Sequence, residues 1–206
     1  MILPRKGWGK TVDETFDLPA FKLEGQSVVN AAVLAEFVEE LGPVSLADIE
    51  KLKRCYASLI IQINRLRPAL ASADVLARPE NGGWSIKEML GYFVDTDREV
   101  WWPRIEAILR DEYPSFADID PLELARAHDW QSQPLDEILS QLVRSRWDYA
   151  MKLNDISPAE FERSGEHAVL GNISILRILQ ILVAHDDHYL HKIRARIESL
   201  AADLKQ

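Results

Sequence analysis

Apolar residues in this chain return at intervals of three and four over long stretches, and that period limits its fold more than any other feature. Ile49, Leu52, Tyr56, Leu59, Ile63 and Leu66 form one such stripe, which at about 100° per residue lies along a single helix face. A second passes through Ile86, Met89, Leu90, Phe93, Val94 and Trp101, and a third through Leu135, Ile138, Leu139, Leu142 and Tyr149. The fourth carries Ile175, Ile178, Leu179, Leu182, Tyr189, Ile193 and Ile197. No stretch alternates apolar and polar residues long enough to predict a strand. Four amphipathic helices bury their stripes best against one another, so the spacing predicts an all-α protein built as a four-helix bundle.

Local signals set the expected ends. A helix over residues 27–41 is stopped by Gly42-Pro43, and Ser45, with Asp48 three residues on, starts the next. Residues 67–83 read as a Pro- and Gly-containing connection, after which Ser85 and Glu88 form a capping box. Pro103 must kink or interrupt the helix that follows, because its ring clashes with the preceding turn. Residues 112–134 read as a loop with short turns, a further helix opens at Pro134, and the last runs from near Asn172 to about Leu200. The first 25 residues hold Pro4, Gly7, Gly9, Pro19 and Gly25, which suggests an irregular arm packing Trp8, Phe16 and Phe21. The expected organisation is an arm and extra helix packed on the bundle (1–44), a bundle domain (45–200) and a C-terminal tail (201–206). There is no internal repeat.

Composition excludes several classes. The net charge of −9 opposes a phosphate-tracking surface, and the basic cluster Lys192-Ile193-Arg194-Ala195-Arg196 fits the dipole of a helix end. No nucleic-acid partner is expected. Apolar runs such as residues 178–184 are too short to span a bilayer, and the N-terminus lacks the apolar stretch of a signal peptide. No membrane partner is expected, and the cytoplasm is the expected location. The single cysteine, Cys55, removes any intramolecular disulfide and any all-cysteine metal site, and its apolar surroundings read as those of an inert thiol.

The segment Ala184 to Ile193, AHDDHYLHKI, holds three of the five histidines. Metal ligands on one helix must share a face, so spacings of three and four count. Helical phase puts Tyr189 on the apolar stripe and His185 on its edge, while His188 and His191 turn toward the polar face. Asp186 points partly inward and would need a partner there. Spacing alone leaves two readings open, a metal site or solvated histidines around one semi-buried imidazole.

The pair WSIKEMLGYFVDTDREVWWPRI (84–105) and ILVAHDDHYLHKI (181–193) resembles the DinB-like, YfiT-related four-helix-bundle superfamily over residues 45–200. That resemblance implies an up-down bundle holding a divalent metal, nickel or zinc, through three histidines, one after the tryptophan-serine start and two from an HxxxH on the last helix. Its members include thiol S-transferases, hydrolases and dimers, and it implies no DNA binding. Carried onto this chain, the three ligand positions fall on Tyr92, His185 and Tyr189. Phenols ordinarily titrate near pH 10 and must lose a proton to ligate well, so no metal is expected. Were one held, His185 would act with Tyr92, Tyr189 or His188, and iron suits phenolates better than zinc. Asp95, His188 and Trp130 are the expected pocket neighbours. Three functions follow: a small-molecule-binding homodimer with a degraded metal site, a metal-dependent thiol S-transferase or hydrolase, or a non-enzymatic interaction module using the added helix. The chain has no nucleophile-elbow serine and no phosphate-cradling glycine loop. His128-Asp129-Trp130 reads as a turn anchored by a buried tryptophan, His167 as a loop residue, and Trp101-Trp102 as core or cavity lining.

Overall fold

The stripe that starts at Ile49 builds helix α2 (Ile49–Ser72) in the computed structural model, which describes residues 31–80 and 82–203. Trp8, Phe16 and Phe21 lie outside the described residues. Ser45 opens the segment as its capping signal predicts, with its backbone N–H and its hydroxyl both donating to Asp48 Oδ2 at 2.9 Å. The helix then passes through Pro68 to Ser72, where a connection was expected from residue 67. Proline removes one backbone bond at that point, but Leu70, 1% exposed, carries the Ile63 stripe another turn into the core. Burial outweighs the lost bond.

Helix α3 (Ile86–Thr96) starts at its predicted capping box, with the Ser85 hydroxyl accepting from the Glu88 N–H at 3.2 Å. A π-helical turn, Asp97–Trp101, separates it from α4 (Trp102–Arg110), and Pro103 sits in the first turn of α4. The interruption expected at Pro103 therefore falls immediately before it, as a widened turn that buries both Val100 and Trp101. Helix α6 (Leu135–Asp155) begins beside Pro134, and α8 (Ile175–Asp203) closes the bundle. Residues 112–134 are less irregular than expected, since they hold α5 (Pro121–Ala127) and a two-residue strand.

The expectation of no strand also needs correcting. Strands β1 (Ser115–Phe116), β2 (Ser164–His167) and β3 (Gly171–Ser174) form a small sheet in that order, β1 parallel to β2 and β2 antiparallel to β3. Each is four residues or fewer, too short for a period of two to stand out in the sequence. Asn172 pairs with Glu166 in this sheet, so α8 starts at Ile175 instead of near Asn172. Gly171 takes φ of +66°, the left-handed conformation that ends the hairpin turn. A four-residue helix, α7 (Pro158–Phe161), precedes the sheet.

Helices α2 and α3 each pack on α6 and α8, so α2 and α3 occupy opposite corners of the bundle. Helix α1 (Ala31–Glu40) lies outside these four and ends at Gly42, φ +67°. Its last carbonyls have partners on α8: the Arg177 guanidinium donates to Val38 and Gly42, and Gln180 Nε2 donates to the Leu41 carbonyl at 3.1 Å. Those bonds satisfy a helix end that would otherwise leave buried acceptors unpaired. Among the described residues no helix is long and apolar enough to cross a membrane.

Candidate functional site

Helices α3 and α8 bring Tyr92, His185 and Tyr189 to one cavity of about 110 Å³. Ring centroids lie 5.1 Å apart for Tyr92 and Tyr189, 4.8 Å for His185 and Tyr189, and 5.5 Å for Tyr92 and His185. Trp84 stacks on Tyr189 at 5.8 Å, backing the phenol from the bundle side. Burial, followed by the neighbouring Tyr189 and Asp95, pushes the Tyr92 phenol well above its ordinary value, and burial raises Tyr189 as well. Both hydroxyls therefore stay protonated at neutral pH. The two nitrogens of His185 are buried without a hydrogen-bond partner among the described residues, and the nearest carboxylate oxygen, Asp186 Oδ1, is 3.6 Å from Nδ1. One imidazole, with both nitrogens buried and unpartnered among the described residues, stands beside two protonated phenols.

His188, an expected pocket neighbour, reaches the cavity although its phase turns it toward the polar face. It lines the same cavity, edge-on to Tyr189 at 5.3 Å, and burial pushes its imidazole down to about 3, with Lys192, His185 and His191 adding to the effect. Helical phase placed it correctly on the flank of α8. That flank is not solvated, because Leu34 and Phe37 of α1 and Leu124 of α5 wall the cavity from outside the bundle. His191 is exposed, as expected.

His167 is likewise a buried strand residue rather than a loop residue. It is 1% exposed on β2, lines the cavity, and its Nδ1 accepts the Val169 and Leu170 backbone N–H groups at 3.2 and 3.3 Å. Alternation on β2 turns Gly165 and His167 inward and Glu166 outward, a signal only four residues long. Trp101 joins the cavity wall, 5.6 Å from His185. Trp102 is core: it stacks on Tyr149 at 4.3 Å and donates from Nε1 to the Tyr56 hydroxyl at 3.3 Å.

Asp95 and Trp130 are brought to each other, and neither lines the cavity. Trp130 Nε1 donates to Asp95 Oδ2 at 2.5 Å, while His128 Nδ1 and Arg98 Nη2 stand 2.9 and 3.2 Å from Asp95 Oδ1. The indole lies against Gly91, where an added Cβ would come within 2.2 Å of its ring. The small residue before Tyr92 is what lets this turn dock on α3. Cys55 is half-buried on α2, away from the cavity.

Sequence reasoning missed the charged cluster on the bundle axis. Arg146, fully buried on α6, forms a two-pronged hydrogen bond to Asp186 and approaches Asp97 Oδ2 to 2.7 Å, while the Tyr56 ring lies 4.6 Å from its guanidinium carbon. The Asp97 contact is an ion pair without hydrogen-bond alignment. Burial outweighs the attraction of Arg146 and raises the Asp97 carboxyl to about 7. Arg146 is the partner that an inward Asp186 required. Its signal was present, since it follows Leu142 by four residues on the α6 stripe where an apolar residue belongs.

Among the described residues no group of three or more His, Cys, Asp or Glu side chains is placed to hold a metal ion. An aromatic and histidine-lined cavity beside a four-helix bundle core puts the chain in the class of helical-bundle proteins with an interior cavity. Within that class, this chain belongs to the DinB superfamily, whose sequence profile matches residues 62–193. A curated protein of Oceanobacillus iheyensis, named "Putative metal-dependent hydrolase", is 24% identical over 181 residues, covering 87% of this chain and 93% of that protein. The solved structure of YfiT from Bacillus subtilis, described as "a probable metal-dependent hydrolase with an unusual four-helix bundle topology", matches with a TM-score of 0.65 at 18% identity. It covers 80% of this chain and 91% of its own.

Proposed function

We propose that this member of the DinB superfamily binds a small molecule in the cavity between α3 and α8, and that its three-histidine metal set is degraded to His185. The observation that carries this reading is the pair of buried phenols, Tyr92 and Tyr189, at two of the three positions where the resemblance assigns imidazole. A neutral imidazole offers its lone pair to zinc or nickel at neutral pH, whereas a phenol must first ionise, and burial opposes that. The residues present do not fit a three-histidine divalent centre. What remains suits recognition: two hydroxyls and the His185 nitrogens can meet polar atoms of a ligand whose body rests on the aromatic rings.

His188 favours a second reading, a metal-dependent thiol S-transferase or hydrolase. It brings an imidazole that burial keeps neutral to the cavity three residues from His185, and the curated relative and YfiT are both described in metal-dependent terms. Replacing both phenols tests the assignment of positions. Tyr92→His with Tyr189→His is expected to take up close to one equivalent of zinc or nickel after dialysis, with the parent taking up far less. A folded double variant with no more metal than the parent would show that these positions do not converge on one ion.

A further inference from the structure

The wall of the cavity holds two polar groups that the proposed function leaves unused, Arg104 and His167. Because His167 Nδ1 accepts two backbone N–H groups, the hydrogen-bond network assigns its proton to Nε2. That Nε2–H is buried and has no acceptor among the described residues. Arg104, half-buried on α4, spends one N–H on the Ala117 carbonyl at 3.0 Å, and among the described residues no carboxylate lies within 4.0 Å ion-pairing distance of it. The Arg104 guanidinium acts on the His167 imidazole, and exposed Asp118 at the cavity rim acts on both. Around them the lining is apolar, with Phe37, Val100, Ile173 and Ile181.

We infer that the cavity selects a small monocarboxylate, its carboxylate held by Arg104 and the His167 Nε2–H and its apolar body packed against Phe37, Val100 and Ile181. The inference rests on the reading of the cavity as a small-molecule site. An anion supplies what both groups lack: acceptor oxygens, two of them in the plane that a guanidinium fork matches. One negative charge suits the site better than two, because a single Arg104 faces it and Asp118 stands nearby. Size limits the body. An apolar cavity of about 150 Å³ takes benzene, so one of about 110 Å³ suits a smaller body, a short branched or straight chain.

Calorimetric titration of the full chain at pH 7 with isobutyrate, and with isobutyramide as its neutral counterpart, tests this. Isobutyrate is expected to bind at least tenfold more tightly, Arg104→Met to remove the preference, and Arg104→Lys to keep part of it, with circular dichroism confirming each fold. Equal binding of the two probes by the parent would overturn the carboxylate inference and leave the cavity reading standing. Binding of neither would remove both. A preference that survives in folded Arg104→Met would also overturn the inference, and should that variant not fold, the parent comparison and Arg104→Lys still decide.

Discussion

His188 carries the clearest pH signature at the scale of single residues. Burial lowers its imidazole to about 3 in the folded protein, against about 6.5 in an unfolded chain. Below pH 6.5 the unfolded chain gains a proton at this position that the folded protein does not. Stability is therefore lost as pH falls from about 6.5 toward 3, at up to about 1.4 kcal/mol per pH unit. Urea unfolding of the parent and of His188→Gln at pH 6.5 and 5 is expected to show the parent losing about 2 kcal/mol more than the variant; parallel losses would mean that His188 titrates as in water. Tyr189 and His185 could be placed from sequence because they lie on and at the edge of the stripe that α8 turns to the bundle interior, and Tyr92 through the family resemblance. His188 was expected near the pocket, but neither its burial nor the place of His167 could be read, since what buries them is packing of α1, α5 and the sheet against the bundle, and no local period records that.

Among elements, the four long helices were readable because 3.6-residue spacing persists over several turns, and the Ser45 and Ser85 starts because capping is local. Pro68 misled, since the cost of one proline is local while the burial of Leu70 that overrides it is tertiary. The charged cluster joins all four bundle helices, through Tyr56 on α2, Asp97 at the end of α3, Arg146 on α6 and Asp186 on α8. Removing one partner of a buried ion pair leaves an uncompensated charge, which costs about 3–5 kcal/mol. Asp186→Ala is expected to lower the unfolding free energy by about 3 kcal/mol or more, read from denaturant midpoints at constant slope. A loss below about 1 kcal/mol would mean that Asp97 alone neutralises Arg146.

For the whole molecule, the bundle was written in the stripes, while the cavity was not. Its inner wall follows from helices α3 and α8; its outer wall comes from α1, α4, α5 and a hairpin, whose Leu34, Arg104, Leu124 and His167 meet only after folding. The family resemblance pointed to Tyr92, His185 and Tyr189, and on the proposed reading the two buried phenols set the cavity's chemistry apart from a three-imidazole centre. The most direct test is the metal content of the native protein, purified without added metal or chelator and measured by elemental mass spectrometry. A degraded site predicts well under a tenth of an equivalent of nickel, zinc or iron. Near-stoichiometric metal that only strong chelation removes would contradict it and establish a centre built on His185 with substitute ligands.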